Sequence, residues 1–302
     1  VVFEDKANNK AYAVRCGWLE IGGSPYLASL RMDQAKNFEE FKEACNYSNI
    51  PGENMVWVDK AGNIGWQAVG IAPVRRNFSG LVPVPGDGRY EWDGYLPIVQ
   101  KPNAHNPESG FIATANQNVT PEDYEHWDAI GYSWSDPYRV DRVNEVLNAG
   151  KKMNMEDMIA LQVDYTSLPA RKLVPLLKNI SFEGKVKEAQ ALLLDWDYQL
   201  LPNSIAAAIY MTWEEEIWTA CEDRFIPENV RSYIPYLQLK TLENWLINPK
   251  LKFGADPESK RDELIQEAFL RTITILEHKL GDDMTQWQYG QAKFKHAYFS
   301  HP

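Results

Sequence analysis

With 302 residues and a net charge of −11, the chain is long enough to bury a sizeable core and too acidic to track a phosphate backbone. Hydrophobic residues at 44% and eleven Trp exclude a disordered chain, while three widely spaced Cys without CxxC spacing exclude a disulfide framework and a zinc site. No apolar run approaches the roughly 18 residues that a membrane span needs.

Val1 to Asp5 reads as a strand, and Lys10 to Cys16 alternates in part before the turn at Gly22-Gly23. Asn37 stands where a helix cap belongs, with Glu40 three residues on, and Phe38, Phe41, Ala44 and Cys45 share one helical face. Met55 to Val58 and Ile64 to Ile71 flank Lys60-Ala61-Gly62-Asn63, which predicts a β-hairpin. Arg75 to Pro107 is rich in Pro and Gly and reads as an extended, turn-laden surface segment. Phe111 to Ala115 is predicted as a further strand.

Helices dominate from Asp136 onward. Asp136-Pro137 reads as a cap followed by Pro at the first helical position, with Val140, Val143, Val146 and Leu147 as the buried stripe. Asn154 and Asp157 open another helix expected to bury Met158, Ile159 and Leu161. Val186–Trp196, Ala206–Trp218 and Asp262–Leu280 are further helical stretches. Strands first and helices later predict an α+β class, with a sheet-forming portion over 1–120 and a mainly helical one over 121–302.

The residues by themselves leave the chemistry open. Five His, at 105, 126, 278, 296 and 301, show no HxxxH pair, and no GxSxG elbow occurs. Asp128, Asp136 and Asp141 are oxygen ligands of the type calcium takes, without an EF-hand spacing. Glu214-Glu215-Glu216 reads as a solvated helix face. Asn116 and Asn118 after a strand read either as turn residues or as an amide donor aimed at an oxyanion. Trp57, Trp66 and Trp92 would serve a non-catalytic carbohydrate-binding module if their rings were exposed.

An ordered series of motifs narrows this. Asp59-Lys60-Ala61-Gly62-Asn63-Ile64-Gly65-Trp66 is followed by Val82-Pro83-Val84-Pro85-Gly86, Trp92-Asp93-Gly94-Tyr95-Leu96-Pro97 and Asn106-Pro107-Glu108-Ser109-Gly110-Phe111-Ile112-Ala113-Thr114-Ala115-Asn116. Tyr138-Arg139-Val140, Trp196-Asp197, Trp287-Gln288-Tyr289-Gly290 and His301-Pro302 complete it. In this order the series resembles the penicillin acylase family of N-terminal-nucleophile hydrolases. The resemblance implies part of a four-layer αββα sandwich and the hydrolysis of an N-acyl bond in a small molecule, such as a β-lactam side-chain amide or an acyl-homoserine lactone. It implies a catalytic Ser freed by autoproteolysis, whose own α-amino group is the base. No cofactor takes part in that chemistry.

Position by position, the resemblance makes Asn116 the side-chain oxyanion donor and Arg139 a guanidinium behind it. Trp18 falls near the acyl pocket, and Glu53 falls where the family has an apolar pocket residue. Asp128 and the carbonyl of Gly80 fall on a structural calcium site. The chain opens on Val1 rather than Met and has no Ser-Asn start, so the expectation is a piece of the large subunit, inactive alone. Its expected partners are the upstream segment and small subunit of the same precursor, in a periplasmic or secreted enzyme.

Overall fold

The computed structural model describes residues 1–24, 26–234 and 237–294. The chain divides into two compact units, Val1–Ser135 and Asp136–Pro302. The class is α+β: the strands lie in the first unit and long helices fill the second.

In the first unit β1 (Phe3–Asp5) pairs antiparallel with β2 (Lys10–Tyr12). Two helices follow, α1 (Leu27–Met32) and α2 (Phe38–Cys45), where the apolar spacing predicts only the second. A three-stranded antiparallel sheet then forms in the order β3 (Asn54–Val58), β4 (Ile64–Ala68), β5 (Asn103–His105).

Turn chemistry explains the hairpin. The Asp59 carboxylate accepts from the amides of Ala61 and Asn63, each at 2.9 Å, and Gly62 takes φ +89°, a region only glycine enters freely. Gly65 is required for another reason: a Cβ there would overlap the Phe38 ring. Phe38, Phe41, Ala44 and Cys45 are all buried, and with Val69 and Ile98 they form the small core between α2 and the sheet. Asn37 caps α2 by accepting from the Glu40 amide at 2.9 Å. The Glu40 carboxylate returns to the Lys36 amide at 2.9 Å rather than to that of Asn37, so the predicted capping box is displaced by one residue.

The predicted strand over Phe111–Ala115 is absent, and residues 111–114 have no regular structure. β5 forms earlier in the chain, inside the segment predicted to be a surface excursion. Its polar sequence Asn103-Ala104-His105 carries no strand pattern, and its pairing with Gly65, Trp66 and Gln67 of β4 creates it.

The second unit holds α3 (Tyr138–Leu147), α4 (Met155–Gln162), α5 (Leu168–Leu173), α6 (Gly184–Leu194), α7 (Ile205–Phe225), α8 (Glu228–Arg231), α9 (Leu239–Ile247) and α10 (Pro257–Leu280). Ser204 caps α7, accepting from the Ala207 amide at 3.1 Å, and Pro257 starts α10 where no backbone donor is needed. These two long helices enclose the main core, with Trp213 and Phe269 edge-to-face at 5.7 Å and Leu177, Leu193, Ile217, Leu242 and Ile265 fully buried. Each such aliphatic side chain contributes roughly 1.5–3 kcal/mol on leaving water.

Three expectations for these helices need correction. Only Val140 of the α3 stripe is fully buried. α4 has its Asn154–Asp157 capping box, but Met158 and Ile159 are exposed because no element covers that face within the unit. Asp136 does not cap its own helix. Its carboxylate accepts from the amides of Leu239 and Lys240, at 3.1 and 3.3 Å, and so caps α9.

Candidate functional site

The exit of β4 gathers two of the predicted binding segments in the first unit. The Val69 amide donates to the Glu53 carbonyl at 2.9 Å, and the amides of Gly70 and Ile71 donate to the carbonyls of Ser48 and Asn49 at 2.9 and 2.7 Å. On the other side Gly17 lies against Ile71, whose Cγ2 would be 2.8 Å from a Cβ at position 17. Trp18, in the short helical turn Gly17–Leu19, and Glu53 therefore flank the same three residues. Both present their side chains outward, Trp18 at 58% exposure.

Lys101 holds this junction from beneath. Its ammonium donates to the carbonyls of Val69 and Gly70 at 2.6 and 3.1 Å. Among the described residues no carboxylate pairs with it, and burial lowers its pKa to about 8. The sequence offers no signal for this residue, since a lone Lys between Gln100 and Pro102 looks like any surface cation.

Asn116 is an exposed residue with φ +65°. Asn is among the few residues that enter the left-handed region at small cost, so the turn reading of its backbone holds. Its carbonyl accepts from the Ser135 amide at 3.1 Å. On the preceding side the Gln117 side chain folds back over the chain. Gln117 Oε1 accepts from the Ala115 amide at 2.6 Å, and Gln117 Nε2 donates to the Ala113 carbonyl at 3.2 Å. The amide-bearing side chain of Asn116 thus stands on a backbone gripped from both directions.

Arg139 lies in the second unit, exposed in the first turn of α3. The start of that helix is anchored by Asp136, through the α9 cap, and by Tyr138, whose hydroxyl donates to Glu243 at 2.8 Å. Burial, followed by the Glu243 carboxylate, pushes the Tyr138 phenol well above its ordinary range.

Gly80 and Asp128 share a neighbour, Arg75. The Arg75 amide donates to the Asp128 carbonyl at 2.8 Å, and its Nη1 would lie 3.0 Å from a Cβ at Gly80. The Asp128 carboxylate is one cause of the rise of Tyr124 to about 12, after burial. Calcium takes six to eight oxygens. The Arg75 guanidinium, which donates to the Ile130 carbonyl at 2.8 Å, stands next to Gly80, and among the described residues no three His, Cys, Asp or Glu side chains cluster for a metal. These residues alone do not fit the ion.

The remaining candidates resolve into structure. Trp66 is buried with its Nε1 on Asn54 at 2.8 Å, Trp57 packs on Phe41 at 5.4 Å, and the Arg15 guanidinium covers Trp92 at 4.2 Å. None offers the open ring that a sugar platform requires. Glu214 is half-buried rather than fully solvated: it accepts from the Tyr210 hydroxyl, burial raises its pKa, and it lines a cavity of about 340 Å³ with Met211, Thr212, Trp218, Leu239 and Phe294. His105 stacks on Phe38 at 4.3 Å, while His296 and the His301-Pro302 motif lie outside the described residues. Cys45 and Cys221 are buried, and burial pushes both thiols up to about 12. No helix among the described residues is long and apolar enough to cross a membrane.

The later motifs also have structural reasons. Trp287 is fully buried with Nε1 on the Gly281 carbonyl at 2.7 Å, and a Cβ at Gly290 would lie 2.5 Å from Pro202. Trp196 donates to the Gln199 carbonyl at 3.2 Å, and Asp197 accepts from the Gln199 amide at 3.0 Å.

The family model described as Penicillin amidase matches residues 1–302. The acyl-homoserine lactone acylase QuiP of Pseudomonas fluorescens (strain Pf0-1) is 30% identical over 287 residues, covering 86% of this chain and 35% of that protein. The penicillin G acylase of Escherichia coli is 28% identical over 242 residues, 70% of this chain and 28% of that protein. The chain therefore spans about a third of the length of these curated relatives. Among solved structures, a thermostable penicillin G acylase from Alcaligenes faecalis aligns with a TM-score of 0.73 at 22% identity, covering 95% of this chain and 57% of that one. That likeness establishes the fold.

Proposed function

The chain belongs to the penicillin amidase family, and on that footing we propose that its parent polypeptide is an amide hydrolase that cleaves the N-acyl bond of a small molecule. The relatives bear the names acyl-homoserine lactone acylase and penicillin acylase, so an acyl-homoserine lactone or a β-lactam side-chain amide is the substrate class proposed. With only about a third of the relatives' length in this chain, the nucleophilic Ser is assigned to a part of the parent outside these residues. The 302-residue chain alone is expected to be inactive.

In this reading the Ser hydroxyl attacks the acyl carbonyl while its own α-amino group, with a pKa near 8, takes the proton. The carbonyl oxygen becomes an oxyanion, and the Asn116 side-chain amide donates to it. The intermediate collapses with release of the amine, which receives the proton, and water then hydrolyses the acyl-enzyme. The observation that supports Asn116 is its place in the ordered motif series of a chain matched by the family model over residues 1–302; its exposed position, with the backbone held by Ser135 and Gln117, is compatible with that role.

Arg139 keeps the supporting role that the family resemblance gives it. Trp18 and Glu53, flanking the β4 exit, are proposed acyl-binding residues, with Glu53 disfavouring a wholly apolar acyl end. No cofactor enters the chemistry, and no step runs through calcium. The parent is proposed to be periplasmic or secreted, in keeping with the family resemblance.

The test is hydrolysis by the intact parent of two probes, phenylacetyl nitroanilide and an N-acyl-homoserine lactone. Turnover of either, absent in the isolated chain, supports the proposal. An inactive parent, or an active isolated chain, overturns it.

A further inference from the structure

Helix α4 is short and apolar, and the second unit does not cover it. It is eight residues long, and isolated helices of fewer than about 12–15 residues are marginal in water, because packing of an apolar face supplies most of a helix's stability. None of its residues is fully buried. Only Asp157 and Leu161, four positions apart, are half-buried on its inner side. The other large apolar residues point outward: Met155 is 71% exposed, Met158 41%, Ile159 56%, and Val163, just past the helix end, 56%.

Polar anchors nevertheless fix the helix at both ends. Its start carries the capping box of Asn154 and Asp157, and the Lys151 ammonium donates to the Asp157 carboxylate at 2.6 Å. Beyond its end the Asp164 carboxylate accepts from Arg142 Nη2 of α3 at 2.7 Å and from the Thr166 amide at 2.9 Å. Helical spacing sets Met155, Met158, Ile159 and Val163 in one stripe, as residues i, i+3, i+4 and i+8. Glu156 and Gln162 stand at its margin. An apolar stripe with a polar rim marks an interface.

We infer that the α4 stripe is an interface for a segment of the parent polypeptide outside residues 1–302, one that lays apolar side chains against Met155, Met158, Ile159 and Val163. The chain spans about a third of the length of its curated relatives, so most of the parent lies outside it. A segment encoded in the same polypeptide meets this face at one copy per site and at a high effective concentration, an advantage that a separate partner lacks. The inference rests on the reading of the chain as part of a longer parent, and not on acylase activity.

The first measurement needs no substitution. Methionine thioethers are oxidised to sulfoxides when reagent reaches them, so Met155 and Met158 report on the stripe in the wild-type parent treated with hydrogen peroxide. Both are expected to be oxidised at least about tenfold more slowly in the native parent than in the urea-unfolded parent. The second measurement identifies what covers them. The parent is made with p-benzoylphenylalanine in place of Ile159 and irradiated, and the cross-linked peptides are mapped by mass spectrometry. The expected partner is a peptide outside residues 1–302, in a product no heavier than one parent.

Native oxidation of Met155 and Met158 within about threefold of the unfolded rate overturns the inference, because the stripe is then open to water. Cross-links only to peptides within residues 1–302 overturn it too, and so does a product heavier than one parent, which marks a second copy on the stripe. Should the substituted parent fail to fold, an amine-reactive cross-linker on Lys151 and Lys152 of the wild type takes its place. Links from these lysines to peptides outside residues 1–302 then support the interface, and their absence overturns it. Hydrolysis of phenylacetyl nitroanilide and an N-acyl-homoserine lactone by the wild-type parent is measured alongside. An inactive parent with a covered stripe keeps the interface and loses the acylase reading, and an active parent with an open stripe does the reverse.

Discussion

The hydroxyl of Tyr138 donates to the carboxylate of Glu243 at 2.8 Å, joining the first turn of α3 to the middle of α9 across 105 residues of chain. Glu243 is buried and also receives the Lys172 ammonium at 2.8 Å. Asp136, two residues before Tyr138, caps the same helix. The start of α3, which carries Arg139, is therefore set by α9.

Replacing Glu243 by Leu leaves Tyr138 and Lys172 without this carboxylate. The expected loss is about 2–4 kcal/mol in urea denaturation of the parent, against about 1–2 kcal/mol for Tyr138→Phe, which leaves the Lys172 pair intact. A Glu243→Leu protein within 0.5 kcal/mol of wild type, roughly the range of a neutral surface change, would refute the anchoring role.

Asn116→Ala in the parent is expected to lower kcat by about 10²–10³ while KM moves less than about threefold. Equal changes in both constants would mark Asn116 as a general binding residue instead.

Lys101 predicts a pH dependence. Burial holds its folded pKa at about 8, whereas an unfolded chain holds Lys near 10.4. Between these values the unfolded state binds more protons, so stability rises with pH across the window and is flat below it. The difference in unfolding free energy between wild type and Lys101→Met should climb from pH ~8 to ~10.4. A constant difference over that range would mean that Lys101 titrates normally.

Gly65→Ala forces a Cβ into the Phe38 ring. A cost of about 1–3 kcal/mol is expected from overpacking of this kind. Adding Phe38→Leu should recover part of it, and simple additivity in the double variant would show that the two residues do not collide.

Much of the fold is legible where the determinants are local. The β3–β4 hairpin follows from Asp59, Gly62 and Asn63, and the α2 face follows from the spacing of Phe38, Phe41, Ala44 and Cys45. Failures occur where a distant or unexpected partner decides. The Phe111–Ala115 strand does not form, and Gln117 and Ser109 bond to backbone groups there, while β5 exists only because β4 lies beside it. Asp136 looks like the cap of its own helix but serves one more than a hundred residues later. Glu214 reads as solvated from its acidic neighbours, yet it turns toward Tyr210. For the candidate site, composition left Asn116 between turn residue and donor. Only the ordered motifs singled it out, and its left-handed backbone agrees with either role.

The three cysteines have a practical consequence. Cys45 and Cys221 are shut in, and their thiols resist ionisation up to about pH 12. Cys16 is half-exposed, two positions before Trp18 on the turn that flanks the β4 exit. Within this stretch of the protein a thiol-reactive fluorophore applied to the folded state near neutral pH has one ready place to attach, so the native sequence already carries a reporter site beside the proposed acyl-binding residues.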